Sequence, residues 1–280
     1  MRQGLDGMNG YEGLLAVAKE VALLAADRVE EGSRRTVVVA GTKSSPVDVV
    51  TEVDRASERL IYDRLMALRP GDGFLGEEGA RSTSETGVSW LVDPIDGTVN
   101  FVYGIPQYSV SIAALVDDRP VAGVVVDVAR GEVFEATLGG GSWCDGRRLA
   151  VRPPAPMGQR LVVTGFNYVA DIRNRQADAV ARMLREVRDI RRLGSAALDL
   201  CAIGAGRADG YVEEGLHPWD GAAGGLVATE AGATMQSRPG VGGTDCVMCA
   251  PTAGFPEFAA LVERCGFLAE AGENTSPDRE

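Results

Sequence analysis

The sequence predicts a layered α/β protein, and three observations carry that prediction. Apolar positions near the N-terminus recur at helical spacing, the middle of the chain reads as short strands joined by turns, and the second half alternates strand with helix. At 280 residues, with 45% hydrophobic and 24% charged side chains, the chain is long enough for one large domain or two closely joined ones.

Residues 1–10 read as a mobile lead-in. Leu14, Val17, Val21 and Leu24 then recur at steps of three and four, marking an amphipathic helix that ends near Glu31-Gly32. Residues 43–54 are polar and interrupted by Pro46. They lead into a second helix with the stripe Ala56, Leu60, Ile61, Leu65 and Leu68, capped by Thr51 or Asp54. After a turn-rich break, Phe74-Leu75-Gly76 is a short strand ending in Glu77 and Glu78, and residues 80–87 form a small polar loop. Residues 88–92 are an apolar strand. Residues 110–116, 121–128 and 133–137 read as a meander, with Gly139-Gly140-Gly141 as a hairpin turn rather than a phosphate cradle, because no helix pattern follows.

The second half begins with a strand at 161–164. It continues as helix 173–187, strand 190–193, helix 196–203, strand 210–213, helix 219–230, strands 234–236 and 246–250, and helix 257–265. Residues 271–280 are polar and read as a frayed tail. The division expected is a unit over 11–270, with an α+β half to about 150 and an α/β half from about 151.

Composition narrows the function. A net charge of -12, with no long basic run, argues against a general grip on nucleic acid or on an anionic membrane. No stretch approaches the roughly 20 apolar residues of a membrane helix. Five cysteines, an odd set without an apolar signal segment ahead of them, point to reduced thiols and a cytoplasmic protein. Cys246 and Cys249 form a C-x-x-C, but it lies in an apolar run without a second pair, which fits a core strand better than a zinc or redox site.

The chemistry gathers at Asp93-Pro94-Ile95-Asp96-Gly97-Thr98, directly after the 88–92 strand. Aspartate favours a helix cap and proline the first helical position, so the segment suits a chain leaving a strand and turning into a helix. Residues three apart share a helical face, which lets Asp93 and Asp96 meet. Two such carboxylates repel unless a cation sits between them, and Mg²⁺ is held by carboxylates together with water and phosphate oxygens. Gly97, lacking a side chain, lets an anion approach the free N–H groups of a helix start. An ordinary surface turn accounts for these six residues equally well.

Three separate motifs, Gly76-Glu77-Glu78, the segment from Asp93 to Thr98, and Trp219-Asp220-x-Ala222-Ala223-Gly224, together resemble the signature set of the inositol monophosphatase family. The stretch from Lys43 to Asp54 and Gly194-Ser195-Ala196-Ala197-Leu198-Asp199-Leu200 are similar to that family in the same order, over about residues 11–265. The resemblance implies an αβαβα sandwich of the inositol monophosphatase and fructose-1,6-bisphosphatase type, usually a homodimer. It implies that Glu77, Asp93 and the Ile95 carbonyl hold one Mg²⁺, that Asp93, Asp96 and Asp220 hold a second, and that Glu77 helps with a weaker third. Thr98, hydrogen-bonded to Asp54, would orient the attacking water, with Glu77 also in the catalytic set. Gly97 and Thr98, with Asp96 and Asp220, would hold phosphate, and Gly194, Ser195, Ala196 and Glu213 would contact the inositol ring.

The activity implied is Mg²⁺-dependent, lithium-sensitive hydrolysis of a small phosphate monoester, foremost myo-inositol 1-phosphate. Relatives acting on histidinol phosphate, fructose 1,6-bisphosphate or adenosine 3',5'-bisphosphate use nearly the same residues. The compact 80–89 loop favours a small polyol phosphate among these. Some bacterial members of the family instead serve as partners of the transcription machinery.

Overall fold

The computed structural model describes residues 10–34, 39–42 and 49–269. The expected lead-in, apart from Gly10, the Lys43 to Asp48 part of the family-like stretch, and the expected frayed tail lie outside the described residues.

Helix α1 (Glu12–Ser33) precedes a two-stranded antiparallel ribbon, β1 (Val39–Thr42) and β2 (Val49–Thr51), and then α2 (Glu52–Leu68). The first half continues through β3 (Gly73–Gly76), β4 (Arg81–Ser82), β5 (Val88–Asp96) and the short α3 (Thr98–Tyr103). The meander follows as β6 (Ser109–Val116), β7 (Arg119–Asp127), β8 (Glu132–Thr137), β9 (Gly141–Cys144) and β10 (Arg147–Arg148). The second half runs β11 (Leu161–Thr164), α4 (Ala170–Met183), β12 (Asp189–Arg191), α5 (Ala196–Gly204) and β13 (Gly210–Glu214). It ends with α6 (Pro218–Glu230), β14 (Ala233–Pro239), β15 (Asp245–Pro251) and α7 (Phe255–Cys265).

Two sheets result. One is eight-stranded, in the order β10-β9-β8-β7-β6-β5-β3-β4, and the other five-stranded, in the order β12-β11-β13-β15-β14. The meander has the expected chemistry: Asp117 and Asp118, at φ 50° and 58°, make the two-residue left-handed turn that matches strand twist between β6 and β7. Residues 80–87, expected as plain loop, include β4, which pairs with β3.

Period-two alternation buries both faces of the large sheet. Val124 and Val126 of β7 pack with α1 and α2 in one apolar cluster, while Val125 packs with α5 and α6 in another. The reverse faces of α5 and α6 meet the second sheet, whose outer face is covered by α4 and α7. The order is therefore αβαβα, the sandwich expected from the resemblance.

The buried stripe of α1 is rotated from the one the large apolar residues mark. Alanines 18, 22 and 25 lie inward with Val21 and Val29, while Leu23 and Leu24 are exposed. On α2 the buried face carries Asp54, Ser57 and Glu58 beside Ile61 and Leu65. Polar groups on a packing face need partners, and theirs lie in the cleft described below. All five cysteines are buried and free, with Cys246 and Cys249 in central β15, where burial pushes each thiol up to about 12. Among the described residues no helix is long and apolar enough to cross a membrane.

Candidate active site

The segment at the centre of the cleft reaches its geometry by a different route from the one its residues predict. Strand β5 continues through Pro94 to Asp96, and the helix starts only at Thr98, with Gly97 as its cap. Asp93 pairs with Ser111 and Asp96 with Ser109, so three steps along β5 match two along β6. Side chains three apart in a regular strand point to opposite faces, and the extra residue returns Asp96 to the side of Asp93. Proline lacks the ladder N–H, and a bulge is where a strand tolerates that loss. Asp93 is not a helix cap: its Oδ1 accepts the Ile95 N–H at 3.0 Å inside the bulge. Gly97 is required twice over, by its φ of 94° and because a Cβ there would lie 2.9 Å from the Gln107 carbonyl oxygen.

Helix α2 supplies the scaffold behind this bulge. Thr51 caps it, and Asp54 completes a reciprocal capping box, its Oδ2 accepting the Thr51 N–H at 2.8 Å and the Thr51 hydroxyl. The other oxygen, Oδ1, accepts from the Thr98 hydroxyl at 3.0 Å. Asp54 thus completes the cap and, fully buried, is joined to the cleft lining through Thr98. The Thr98 proton has a second acceptor, the Ile95 carbonyl at 2.9 Å. One turn on, Glu58 accepts the N–H groups of Glu78 at 2.7 Å and Ala80 at 3.0 Å, which fixes the turn that presents Glu77.

Asp96 is held by the second half of the chain. Its Oδ2 accepts the Ser195 hydroxyl at 2.5 Å and the Ala197 N–H at 2.8 Å, and its Oδ1 accepts the Ala196 N–H at 3.2 Å. These are unpaired donors of the first turn of α5, which favours a carboxylate. Ser195 caps α5, is fully buried, and does not line the cleft. Its hydroxyl stands behind Asp96, 3.2 Å from Ser109 Oγ, while its neighbours Gly194 and Ala196 line the cleft. Asn100 adds a second tie, donating to the Gln107 carbonyl at 2.8 Å and the Leu193 carbonyl at 2.7 Å.

Asp220 lies inside the first turn of α6. His217 caps α6, Pro218 takes the first helical position that proline favours, and Asp220 reaches back from the third, accepting the His217 N–H at 2.8 Å. Glu213, near the end of β13, accepts from the Tyr211 hydroxyl at 2.9 Å.

The cleft between these elements has a volume of about 370 Å³. Glu77, Asp93, Ile95, Asp96, Gly97 and Thr98 line it from the first half, and Gly194, Ala196, Glu213 and Asp220 from the second. Its electrostatics are one-sided. Burial, then the charges of Glu77, Asp96 and Asp220, push Asp93 well above the carboxylate range. Burial and then Asp96 and Glu77 do the same to Asp220. Asp96 rises to about 6 through burial, with the Ser195 and Ala197 hydrogen bonds opposing, and Glu213 rises to about 7 through burial. Arg192, Asn167, Tyr168 and Trp219 also line the cleft. Of these, only Trp219 stands in a motif. The pair Arg191-Arg192 just ahead of Gly194 is the one signal that marks Arg192.

The cleft opens in an αβαβα sandwich and is walled by carboxylates from both halves. The sequence profile of the inositol monophosphatase family matches residues 10–265, and the chain belongs to that family. An inositol-1-monophosphatase of Mycobacterium bovis is 48% identical over 233 residues, covering 79% of this chain and 80% of that protein. The Nus factor SuhB of Escherichia coli K12 is 35% identical over 229 residues, covering 81% and 86%. Among solved structures, Mycobacterium tuberculosis SuhB superposes with a TM-score of 0.79 at 42% identity, covering 92% of this chain and 98% of that one.

Proposed function

We propose that the protein is a Mg²⁺-dependent phosphoric monoester hydrolase acting on a small polyol phosphate, foremost myo-inositol 1-phosphate. The observation that carries this reading is the charge of the cleft. Asp93, Asp96 and Asp220 are raised by burial and by neighbouring carboxylates, and among the described residues the charges acting most strongly on Asp93 and Asp220 are all negative. Oxygen ligands crowded in this way fit a hard divalent cation.

Glu77, Asp93 and the Ile95 carbonyl would hold one Mg²⁺, and Asp93, Asp96 and Asp220 a second, with Asp93 bridging and Glu77 helping with a weaker third. Bound Mg²⁺ supplies charge neutralisation at phosphate and a water acidic enough to attack. The chain's own residues do the rest. With the Ile95 carbonyl given to a cation, the Thr98 proton is left to Asp54, and the hydroxyl oxygen is free to accept from the attacking water. Asp54, fixed through its second oxygen by Thr51, sets that direction. The first N–H groups of α3, at Thr98 and Val99, have no partner inside the helix and line the cleft, which suits the phosphate oxygens. Gly97 offers close backbone approach beside them. Glu213, with the backbone of Gly194 and Ala196, would meet the ring hydroxyls.

Phosphate release from inositol 1-phosphate, histidinol phosphate, fructose 1,6-bisphosphate and adenosine 3',5'-bisphosphate, with Mg²⁺ and with or without Li⁺, tests the reading. The expected result is Li⁺-sensitive release, fastest with inositol 1-phosphate. Release that is independent of Mg²⁺, or confined to a bisphosphate, contradicts it.

A homodimer and a cytoplasmic location belong to the same reading. Tyr103 and Ile105, 78% and 48% exposed beside the cleft-forming α3, support the dimer as apolar groups in need of cover. A second role, binding a protein of the transcription machinery, is supported by the relatives named Nus factor. A pull-down that survives loss of the active site would favour it.

A further inference from the structure

The proposed metal set leaves out two cleft carboxylates, Glu213 and Glu214. Glu214 accepts the N–H groups of Gly242 and Thr244, whereas Glu213 is held in an unusual way. Strand residues two apart share a face, and Tyr211 uses that spacing to donate its hydroxyl to Glu213 Oε2 at 2.9 Å. The Tyr211 side chain is fully buried, so its ring cannot follow the carboxylate outward. On the other side lies Gly165, just past the end of β11, which pairs with β13 through Thr164 and Val212. A Cβ built on Gly165 would overlap the Glu213 carboxylate. The carboxylate is thus clamped between a buried hydroxyl and bare backbone.

We infer that Tyr211 and Gly165 position Glu213 as a fixed acceptor for a substrate hydroxyl, and that this pair sets the preference for a polyhydroxylated phosphate over a flat aryl phosphate. The inference rests on Glu213 meeting the substrate, as proposed above. Tyr211 occupies one carboxylate oxygen and leaves the other to the cleft that Glu213 lines. Burial, followed by the charges of Glu213 and Asp199, keeps the Tyr211 hydroxyl protonated and donating across the working pH range. A glutamate free to rotate would lose that freedom on each binding event, and a clamped one has lost it already. The whole effect falls on recognition of the alcohol portion, because neither Tyr211 nor Gly165 reaches the phosphate side of the cleft.

The test compares selectivity, the ratio of kcat/KM for inositol 1-phosphate to that for 4-nitrophenyl phosphate, in the full-length Mg²⁺-loaded enzyme. Tyr211→Phe keeps the buried ring and removes only the hydroxyl. It should lower the ratio about tenfold, as expected for a lost hydrogen bond to a charged group, through KM for inositol 1-phosphate rather than kcat. Gly165→Ala displaces the carboxylate by a different route and should give the same pattern. A residue that only packs would lower both substrates together and leave the ratio alone. Glu213→Gln, measured alongside, separates the two levels. If it loses selectivity while Tyr211→Phe and Gly165→Ala keep it, the clamp is overturned and Glu213 still contacts substrate. If none of the three changes the ratio, the ring-contact reading falls as well.

Discussion

Two acidic clusters in this molecule differ more in what surrounds them than in what they contain. On β8 and β9, Glu132, Cys144 and the adjacent Asp145 bring three ligating atoms within 4.8 Å of one another, the one such trio among the described residues. Arg207 donates to both oxygens of Glu132, at 2.6 and 2.5 Å, and its hydrogen bond holds that carboxyl below its usual range. Burial pushes the Cys144 thiol up to about 11, so it stays protonated. The cleft carboxylates are less tightly gathered, yet among the described residues the charges acting most strongly on Asp93 and Asp220 are all negative. Proximity selects the first cluster, and charge balance selects the second. The first already has its cation, a guanidinium, whereas the second is where the proposed Mg²⁺ would supply one.

The comparison breaks most visibly under substitution. Asp96→Asn should lower Mg²⁺-dependent phosphate release by about a thousandfold or more, on the scale of losing a metal-held charge clamp. Glu132→Gln should leave release within about twofold in the same assay. Near-normal turnover in Asp96→Asn would remove the cleft from the account.

Next in size, Thr98→Val and Asp54→Asn should each lower kcat by roughly a hundredfold, typical for loss of a group that orients a proton. Thr98→Val should keep the rise in melting temperature that Mg²⁺ gives the wild type. A Thr98→Val enzyme that loses the Mg²⁺ response would place the residue among the ligands instead.

A third difference appears in pH dependence of the metal-free protein. Asp96 titrates at about 6 in the fold against an ordinary value of 3.8. A carboxyl raised by folding contributes stability that is present below its unfolded value and lost as pH rises through its folded one. Up to ~3 kcal/mol is at stake for a shift of that size. About 1.3 kcal/mol of this is lost between pH 5 and pH 7, so chelated protein should melt about 2–3 °C lower at pH 7 than at pH 5, and saturating Mg²⁺ should close that gap. Asp96→Asn should flatten the slope, and Glu132→Gln should not.

The smallest effect concerns the substrate. Glu213 ionises at about 7, raised by burial and opposed by Tyr211 and Arg192, with Asp96 raising it further. Above that pH it accepts a hydroxyl bond with full charge, and below it the charge is lost. KM for inositol 1-phosphate should therefore rise several-fold between pH 8 and pH 6 while KM for an aryl phosphate holds steadier, a limb that Glu213→Gln should erase.

Much of the fold was legible because the elements are locally consistent. The meander was marked by period-two strands and the turn at Asp117-Asp118, and the second half by alternation with small-residue helix starts at Ser195 and Pro218. The five layers were not legible from periodicity, since the faces of α5 and α6 are apolar all round and a stripe does not say which sheet it meets. At the site, residue identity was easier to read than backbone. Asp-Pro-x-Asp-Gly looks like a helix start, and only the partner strand β6, with Ser109 and Ser111, reveals the bulge. The tie from the Ser195 hydroxyl to Asp96 was not legible, because a cap hydroxyl turned toward a distant carboxylate leaves no mark in sequence. The buried polar stripe of α2 is the signal most easily missed, since Asp54, Ser57 and Glu58 look like a solvated face until the helix is packed.

Calorimetric titration of Mg²⁺ into the metal-free protein, compared across wild type, Asp93→Asn and Glu132→Gln, tests the central claim most directly. Glu132→Gln should bind Mg²⁺ as the wild type does, and Asp93→Asn, missing the carboxylate proposed to bridge, should lose the binding heat. Retained binding in Asp93→Asn, with loss in Glu132→Gln, would contradict it.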